Sequence, residues 1–467
     1  MGRKKIALFG GSFNPPHLNH RQIVEWLSGR FDQVIVIPCG YRQDKLITCD
    51  MPAHHRAVLC DLAFSGLPNV RLDFSDLESA SYTSSHVLQQ RYDRPDREVW
   101  HVVGSDLWAK GRSVIRTNWQ YGPLIWHELN WLVINRTGHE ITTETELPPR
   151  CRLESFCRSI GSSTEVRCRL RDQLSIDGML QPIVEGYIRR YGLYLGRTVS
   201  EVTRLKLSSL QPHLHVDPYN KPAVSAAHRL QRHASPIEEA SIVVALGGDG
   251  TLLRAVHEHW QRRRPFFGLN FGHAGFLLNR FSLRWHRDAT QLMVELAGAD
   301  FTCYHLPLLL VEWIDDQGQQ HSTYGFNDVY VKNADPSVAA RMNVTAAVGH
   351  QIWKISDAIG DGLICATAAG STGYAYQAGA EPLPLGGDGS WLVKGISTRQ
   401  IPQVMLGRTS VVTCRLGKGY RQCVLCADNR VLGPVIEFSV RLSSVAAAEL
   451  LFLPGTDPAV KRIELAL

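Results

Sequence analysis

The chain has 467 residues, more than one hydrophobic core ordinarily holds, so two or three domains are expected. Hydrophobic residues make up 44% and charged residues 20%, an ordinary globular composition, and a net charge of +6 over this length is no nucleic-acid footprint by itself. Eleven cysteines without a regular framework argue against a disulfide scaffold and for a reducing, cytoplasmic setting; no 18-residue apolar run predicts a membrane span or a membrane partner.

Ile6 to Phe9 is a short apolar run stopping at Gly10-Gly11, the pattern of a buried strand entering a glycine turn. Helical spacing follows through Ile23, Val24 and Leu27. Further buried strands are predicted at Val34 to Ile37, Val99 to Val103 and Leu132 to Ile134. Strands alternating with helical stretches predict a parallel α/β sheet, whose ligands bind beyond the carboxyl ends of the strands. Gly10-Gly11, Pro38, Gly104 and the loop after Ile134 fall at those ends.

Glycines at Gly10 and Gly11 let phosphate oxygens approach the backbone, because no Cβ intervenes. In Gly10-Gly11-Ser12-Phe13-Asn14-Pro15-Pro16-His17-Leu18-Asn19-His20, the two histidines stand three apart. On a first helical turn they face one side and can donate hydrogen bonds to a triphosphate. Gly161-Ser162-Ser163-Thr164-Glu165-Val166-Arg167 reads as a helix entry, with hydroxyls and unpaired amides for a phosphate and a guanidinium beside them. Lys45 and Arg56 are further basic candidates, equally well read as solvated charges.

These residues resemble the nicotinate/nicotinamide mononucleotide adenylyltransferases, as do Ser81-Tyr82-Thr83 and Gly104-Ser105-Asp106 with Trp119, over about residues 4 to 195. The resemblance implies a Rossmann-like nucleotidyltransferase domain in which a mononucleotide 5′-phosphate attacks the α-phosphate of ATP. His17 and His20 would then be catalytic. Gly10, Gly11, Ser12, Phe13, Gly104, Asp106, Ser162, Ser163, Thr164 and Arg167 would hold ATP or the nucleotide, and Tyr82, Thr83 and Trp119 the pyridine ring. Asn19 stands where that family usually has Gly.

Tyr187 to Leu195 reads as the end of the first domain. From Arg197 to Pro236 the chain is polar, either a connector or a weakly patterned start of the next domain. Ile242 to Leu246 is again a buried strand, running into Gly247-Gly248-Asp249-Gly250-Thr251 and a helical stretch through Leu252, Leu253 and Val256. Three glycines around one carboxylate suit a backbone that touches a ligand within reach of Asp249. His213/His215 and His257/His259 are close in sequence but lack the cysteine or carboxylate partners of a zinc site, and read as solvated or structural. From Phe301 onward short β-branched and aromatic runs recur at Leu308–Val311, Val329–Val331, Met342–Val348, Leu363–Ala366, Val411–Cys414, Cys423–Cys426 and Val435–Val440, as in a β-rich domain. Cys423-Val424-Leu425-Cys426 is a CxxC inside such a run, read as structural.

The second glycine block resembles the NAD kinases, with Gly268 to Leu277, Asn327-Asp328, Asp361-Gly362 and Gly370-Ser371-Thr372-Gly373-Tyr374, over about residues 240 to 430. That resemblance implies phosphorylation of a ribose 2′-hydroxyl with Asp249 as base. The dinucleotide would be held by Gly247, Gly248, Gly250, Thr251, Asn327, Asp328, Asp361, Ser371, Thr372 and Tyr374, with Mg²⁺ accompanying ATP. Asp328 stands for a usual Glu, Ala369 for a usual Thr, and Asp428-Asn429 for a usual Asp-Gly. The expected domains are 1–196 (transferase), 197–300 (kinase α/β) and 301–467 (kinase β-rich, with a C-terminal return). The chain would make NAD from ATP and nicotinate or nicotinamide mononucleotide, then convert it to NADP, with any homo-oligomer formed through the kinase half. The alternative is an adenylyltransferase whose second half senses NAD(P) without phosphorylating it.

Overall fold

The computed structural model describes residues 2–40, 51–109, 112–135, 141, 146–155, 161–196, 200–207, 210–272, 275–280, 289–335, 337–349, 351–386, 389–417, 423–456, 458 and 461. The chain forms two compact units, Met1–Val199 and Ser200–Leu467. Among the described residues no helix is long and apolar enough to cross a membrane.

The first unit is built on six strands: β1 (Lys4–Gly11), β2 (Gln33–Pro38), β3 (Val70–Leu72), β4 (Arg97–Gly104), β5 (Asn130–Asn135) and β6 (Cys151–Ser155), in the order β3-β2-β1-β4-β5-β6 and all parallel. Helices α1 (Leu18–Ser28), α2 (Ala53–Phe64), α3 (Ser85–Tyr92), α4 (Ser163–Arg171) and α5 (Pro182–Tyr191) cover it. The central strands are apolar without alternation because both faces are covered. Ala7, Phe9, Val34 and Val36 pack under α1, α2 and α5, while Ile6, Leu8, Ile35 and Ile37 pack with Leu88, Tyr92 and Val99 on the opposite face. The strand order reverses between β1 and β4, which makes the crevice beyond their carboxyl ends the place for a ligand.

The second unit begins inside the polar stretch. β7 (Val202–Leu205) pairs with a later strand, and β8 (Pro212–Val216) lies parallel to β9 (Ile242–Gly247). Between them runs α6 (Lys221–Leu230), whose entry is capped by the Asn220 side chain accepting from the Ala223 amide. So this stretch is the start of a domain and not a connector. β9 leads through the glycine turn into α7 (Asp249–His259), then β10 (Phe266–Asn270) and α8 (Ala289–Gly298).

The β-rich remainder comprises β11 (Phe301–Ile314), β12 (Gln320–Gly325), β13 (Asp328–Asn333), β14 (Ala340–Val348), β15 (Gln351–Gly360), β16 (Gly362–Thr367), β17 (Trp391–Ile396), β18 (Val404–Leu406), β19 (Val411–Leu416), β20 (Cys423–Ala427), β21 (Arg430–Pro434) and β22 (Glu437–Phe452). Every β run read from the sequence falls in or beside one of these. β22 is the return: it pairs with β19 and β11 and reaches β10 through Phe266 opposite Leu450. One sheet therefore runs β8-β9-β10-β22-β19-β14-β15, and a second runs β18-β17-β16-β13-β20-β21. Cys423 and Cys426 are buried in β20 within different cores, Cys423 with Leu425 and Cys426 with Tyr330, so they face away from each other.

Candidate active sites

A cleft of about 570 Å³ opens beyond the carboxyl ends of β1 and β4, within the size range of small-molecule sites. It is lined by Gly10, Gly11, Ser12, Phe13, His17 and His20 from the first turn, and by Tyr82 and Thr83 from the segment before α3. Gly104, Asp106 and Trp119 line it after β4, and Ser162, Ser163, Thr164 and Arg167 at the start of α4. The transferase residues that the resemblance named are thus gathered in one concavity, although they span more than 150 positions.

Local packing sets each group. His17 is the N-cap of α1 and His20 its third residue; the His17 amide donates to Nδ1 of His20 at 3.2 Å, and the rings lie 3.8 Å apart. Phe13 is buried, with its ring 4.9 Å from that of His20, so it braces the histidine more than it offers a surface to ATP. A Cβ on Gly11 would lie 2.9 Å from the Phe13 ring, and that glycine is needed for the bracing itself. Ser162 caps α4 by accepting from the Glu165 amide at 3.1 Å. The Ser163 hydroxyl donates to the Pro15 carbonyl at 2.8 Å, and Arg167 donates to the Asn14 carbonyl at 2.6 Å and to Thr164 Oγ1 at 3.1 Å. These contacts hold the helix entry against the histidine turn.

Three residues read from the sequence have partners that the sequence did not show. The Thr83 hydroxyl, expected at the pyridine ring, donates to the buried Asp76 carboxylate, as does the Thr83 amide at 2.9 Å. Arg56 is neither a phosphate ligand nor a solvated charge. It is buried, donating to the carbonyls of Ser12 and of Cys39, the latter at 2.7 Å, and so ties the ends of β1 and β2 together. Trp119 lines the cleft while its ring meets the edge of Trp131 at 6.3 Å, serving core and cleft together. Lys45 lies outside the described residues.

Sequence reasoning missed Asp76 and His101, which also line the cleft. Burial raises the Asp76 pKa, with the Thr83 hydrogen bonds opposing it. Burial also pushes His101 down to about 3, so it stays neutral. Gly40 was the available signal for Asp76: a Cβ there would sit 2.3 Å from the Asp76 carbonyl and 2.2 Å from that of Ser81, so only glycine admits this loop.

In the second unit Asp249 begins α7, and its two carboxylate oxygens accept from the amides of Phe276 at 3.0 Å and Leu277 at 3.1 Å. A carboxylate has about four lone-pair sites, so two remain for a hydroxyl. Gly248 and Gly250 face open space on their side-chain sides. Gly247 differs, because a Cβ there would meet Thr251 Oγ1 at 2.3 Å. Thr251 is buried, accepts from Arg254 at 3.2 Å and lies 3.5 Å from an Asp217 oxygen. Gly247 and Thr251 therefore pack against each other inside the turn. Asn270 closes the following loop by accepting from the Gly272 amide at 2.8 Å. His273 and Ala274 of that loop lie outside the described residues.

Asn327 and Asp328 are set by a residue from far along the chain. The Asp428 carboxylate accepts from the amides of Phe326 (2.7 Å), Asn327 (2.7 Å) and Asp328 (3.2 Å). Asp428 and Asn429 have φ of 49° and 60° and turn the chain from β20 into β21. Asn accepts that left-handed geometry better than most residues do, which lets it stand in for the usual glycine. Burial, and then the negative charge of Asp428, push the Asp328 pKa up to about 7. Asp361 and Asp328 both raise the Tyr374 pKa after burial, so the three side chains form one electrostatic neighbourhood.

Gly370 closes on this group: a Cβ there would stand 2.0 Å from the Asn327 carbonyl. The hydroxyls beside it are bonded within the protein. Ser371 is fully buried, donating to Ala368 and accepting from the Leu383 amide, both at 2.8 Å, and Thr372 donates to Ala369 at 3.3 Å. Both hydroxyls of this turn are thus engaged within the protein. The Asp249 and Asn327 regions share a core in which Leu252, Leu253 and Leu277 pack with Phe326 and Ala369.

Comparisons with known proteins bear on both units. Residues 8–169 match the cytidylyltransferase-like family, and residues 198–292 match the ATP-NAD kinase N-terminal domain. The NAD kinase of Xanthomonas campestris pv. campestris (strain 8004) is 31% identical over 239 residues, spanning 50% of this chain and 89% of the relative. That of Cereibacter sphaeroides (strain ATCC 17025 / ATH 2.4.3) is 30% identical over 224 residues, spanning 47% of this chain and 83% of the relative. Among solved structures, yeast NADH kinase complexed with NADH is similar at a TM-score of 0.47 and 16% identity, covering 58% of this chain and 92% of that one.

Proposed function

This chain belongs to the NAD kinase family through its second half, and on that premise we propose that it makes a pyridine dinucleotide in its first unit and phosphorylates it in its second. The observation that carries the first step is the cleft at the strand-order reversal, where His17 and His20 face Ser162, Thr164 and Arg167. Adenylyl transfer consists largely of positioning reactants in line and neutralising charge. The mononucleotide 5′-phosphate attacks the α-phosphate of ATP, and the bond to the leaving pyrophosphate breaks. His17 and His20 donate to the phosphates as charge develops, while Arg167 and the N-terminus of α4 bind anionic oxygens. Asp106 meets a ribose, and the exposed ring of Tyr82 with Trp119 accepts the pyridine.

In the second unit the substrate is NAD. Asp249 takes the proton from the ribose 2′-hydroxyl as its oxygen attacks the γ-phosphate of ATP and the bond to the leaving ADP breaks, a contribution of about 10² to 10⁴ in rate. Asn327, Asp328, Asp361 and Tyr374 hold the dinucleotide, with Asp328 able to donate from a protonated carboxyl near neutral pH. Mg²⁺ accompanies ATP in both steps and reduces its charge. The first cleft is lined mostly by neutral and cationic side chains, which suits a metal carried by phosphates and water more than a cage of protein carboxylates.

Mass identification of products settles both steps: the protein is incubated with ATP, Mg²⁺ and nicotinate or nicotinamide mononucleotide, and separately with NAD. Dinucleotide in the first incubation and NADP in the second are expected. Absence of dinucleotide from both mononucleotides would overturn the transferase assignment. A second reading, in which the second unit only senses NAD(P), draws on the two amides already holding Asp249; it would be favoured by NAD binding without NADP formation.

A further inference from the structure

The second unit holds a histidine cluster that neither reaction uses. His213 and His215 alternate along β8, so both project toward the face covered by α7. At that place an α/β sheet ordinarily packs aliphatic side chains against its helix. Here the last turn of α7 supplies Glu258 and His259. One Glu258 oxygen lies 3.7 Å from His215 Nδ1 and 3.8 Å from His259 Nε2, and a nitrogen or oxygen of each residue lies within 4.8 Å of the others.

We propose that His215, Glu258 and His259 bind one divalent transition-metal ion of the Zn²⁺ class, clamping α7 to the edge strand of its sheet. Two imidazoles and a carboxylate form a donor set used for such ions, at bond lengths of about 2.0 to 2.2 Å. Tetrahedral ligands at those lengths stand about 3.3 to 3.6 Å apart, so the two Glu258 separations need to close by only a few tenths of an ångström, and the two imidazoles, within 4.8 Å of each other, by no more than about 1.5 Å. Imidazole nitrogen disfavours Mg²⁺ and Ca²⁺, which take oxygen. The fourth position falls to water or to His213, whose ring lies 5.1 Å from that of His259. His213 Nδ1 lies 3.2 Å from the Ser235 carbonyl, the outer hydrogen bond that leaves Nε2 with its lone pair. The sequence hid this site because Glu258 was not recognised as the carboxylate partner of histidines some 43 positions earlier.

The test uses the full chain, stripped with a chelator and titrated with Co²⁺ and Zn²⁺ without nucleotide. One tight equivalent of Co²⁺ is expected, with visible bands that lack thiolate charge transfer, and Zn²⁺ should displace it and raise the Tm. Glu258 is largely exposed, so Glu258→Gln leaves folding intact and should weaken binding at least about tenfold, the lower end of what losing even an outer partner costs. His215→Ala/His259→Ala should abolish that equivalent while circular dichroism stays native. Wild-type affinity in Glu258→Gln and the double variant together, or Co²⁺ bound only through thiolates, would overturn the proposal.

Discussion

At the residue scale, the side chains with the plainest chemical meaning in the sequence are those whose contacts are local. His17 and His20 pair within one helical turn, so their spacing alone brings them together. His20→Ala should lower dinucleotide synthesis by about 10² to 10³ in kcat, the loss expected when a donor to developing charge is removed. NAD phosphorylation in the same preparation should be unchanged; equal loss of both would defeat the assignment of separate sites. Asp249→Asn keeps size and hydrogen bonding but cannot take a proton. NADP formation should fall by about 10² or more while NAD affinity measured by calorimetry is retained. Asp328 carries a pH signature. Its folded pKa, about 7, exceeds its unfolded value, so the folded state holds a proton that the unfolded chain has released between about pH 4 and 7. Stability conferred at acid pH is therefore lost as pH rises through that window. Asp328→Asn should flatten that decline in urea melts followed through the second unit; an unchanged slope would show that the carboxyl titrates normally. By contrast, the inward turn of the Ser371 and Thr251 hydroxyls and the burial of Arg56 were not legible. Their partners, Leu383, Asp217 and Cys39, lie 12, 34 and 17 positions away and carry no motif.

Elements were readable where burial on both faces leaves an uninterrupted apolar run, as in β1, β2, β4, β5 and β9. β8 escaped because His213 and His215 occupy the face that apolar residues usually fill, leaving only Leu214 and Val216 to pack with the core. β15 escaped because its apolar residues do not mark one buried face: Ile352 and Ile359 are exposed, and polar residues are interspersed among them. Turns were legible as glycine but not in purpose: Gly248 borders open space, Gly247 makes room for Thr251, and Gly370 lets its turn close on Asn327. Gly370→Ala places a methyl against backbone that cannot swing aside. A loss of about 1 to 3 kcal/mol is expected from such overpacking, together with weaker NAD binding. Wild-type Tm and affinity would show that the turn has slack.

Across the whole molecule, each compact unit carries its own cores, Ala7 to Leu193 in the first and Leu205 to Leu451 in one of the second. A fragment of residues 1–199 should therefore fold and turn over mononucleotide at a rate within about threefold of the full chain, since the cores and the cleft of the first unit are built from its own residues. An unfolded fragment, or one without turnover, would reveal dependence on the second unit. Within that first unit, the cleft is closed by contacts between its opposite ends in sequence. Ser163 and Arg167 hold the carbonyls of Pro15 and Asn14, and the Tyr194 hydroxyl donates to Asn14 Oδ1 at 2.7 Å across 180 positions. During synthesis, then, the histidine turn leaves the ribosome early but has nothing to close against until almost the whole unit has emerged. The first unit therefore passes most of its own synthesis with strands it can already pair and a cleft it cannot yet close, so the cleft is completed late and in one step.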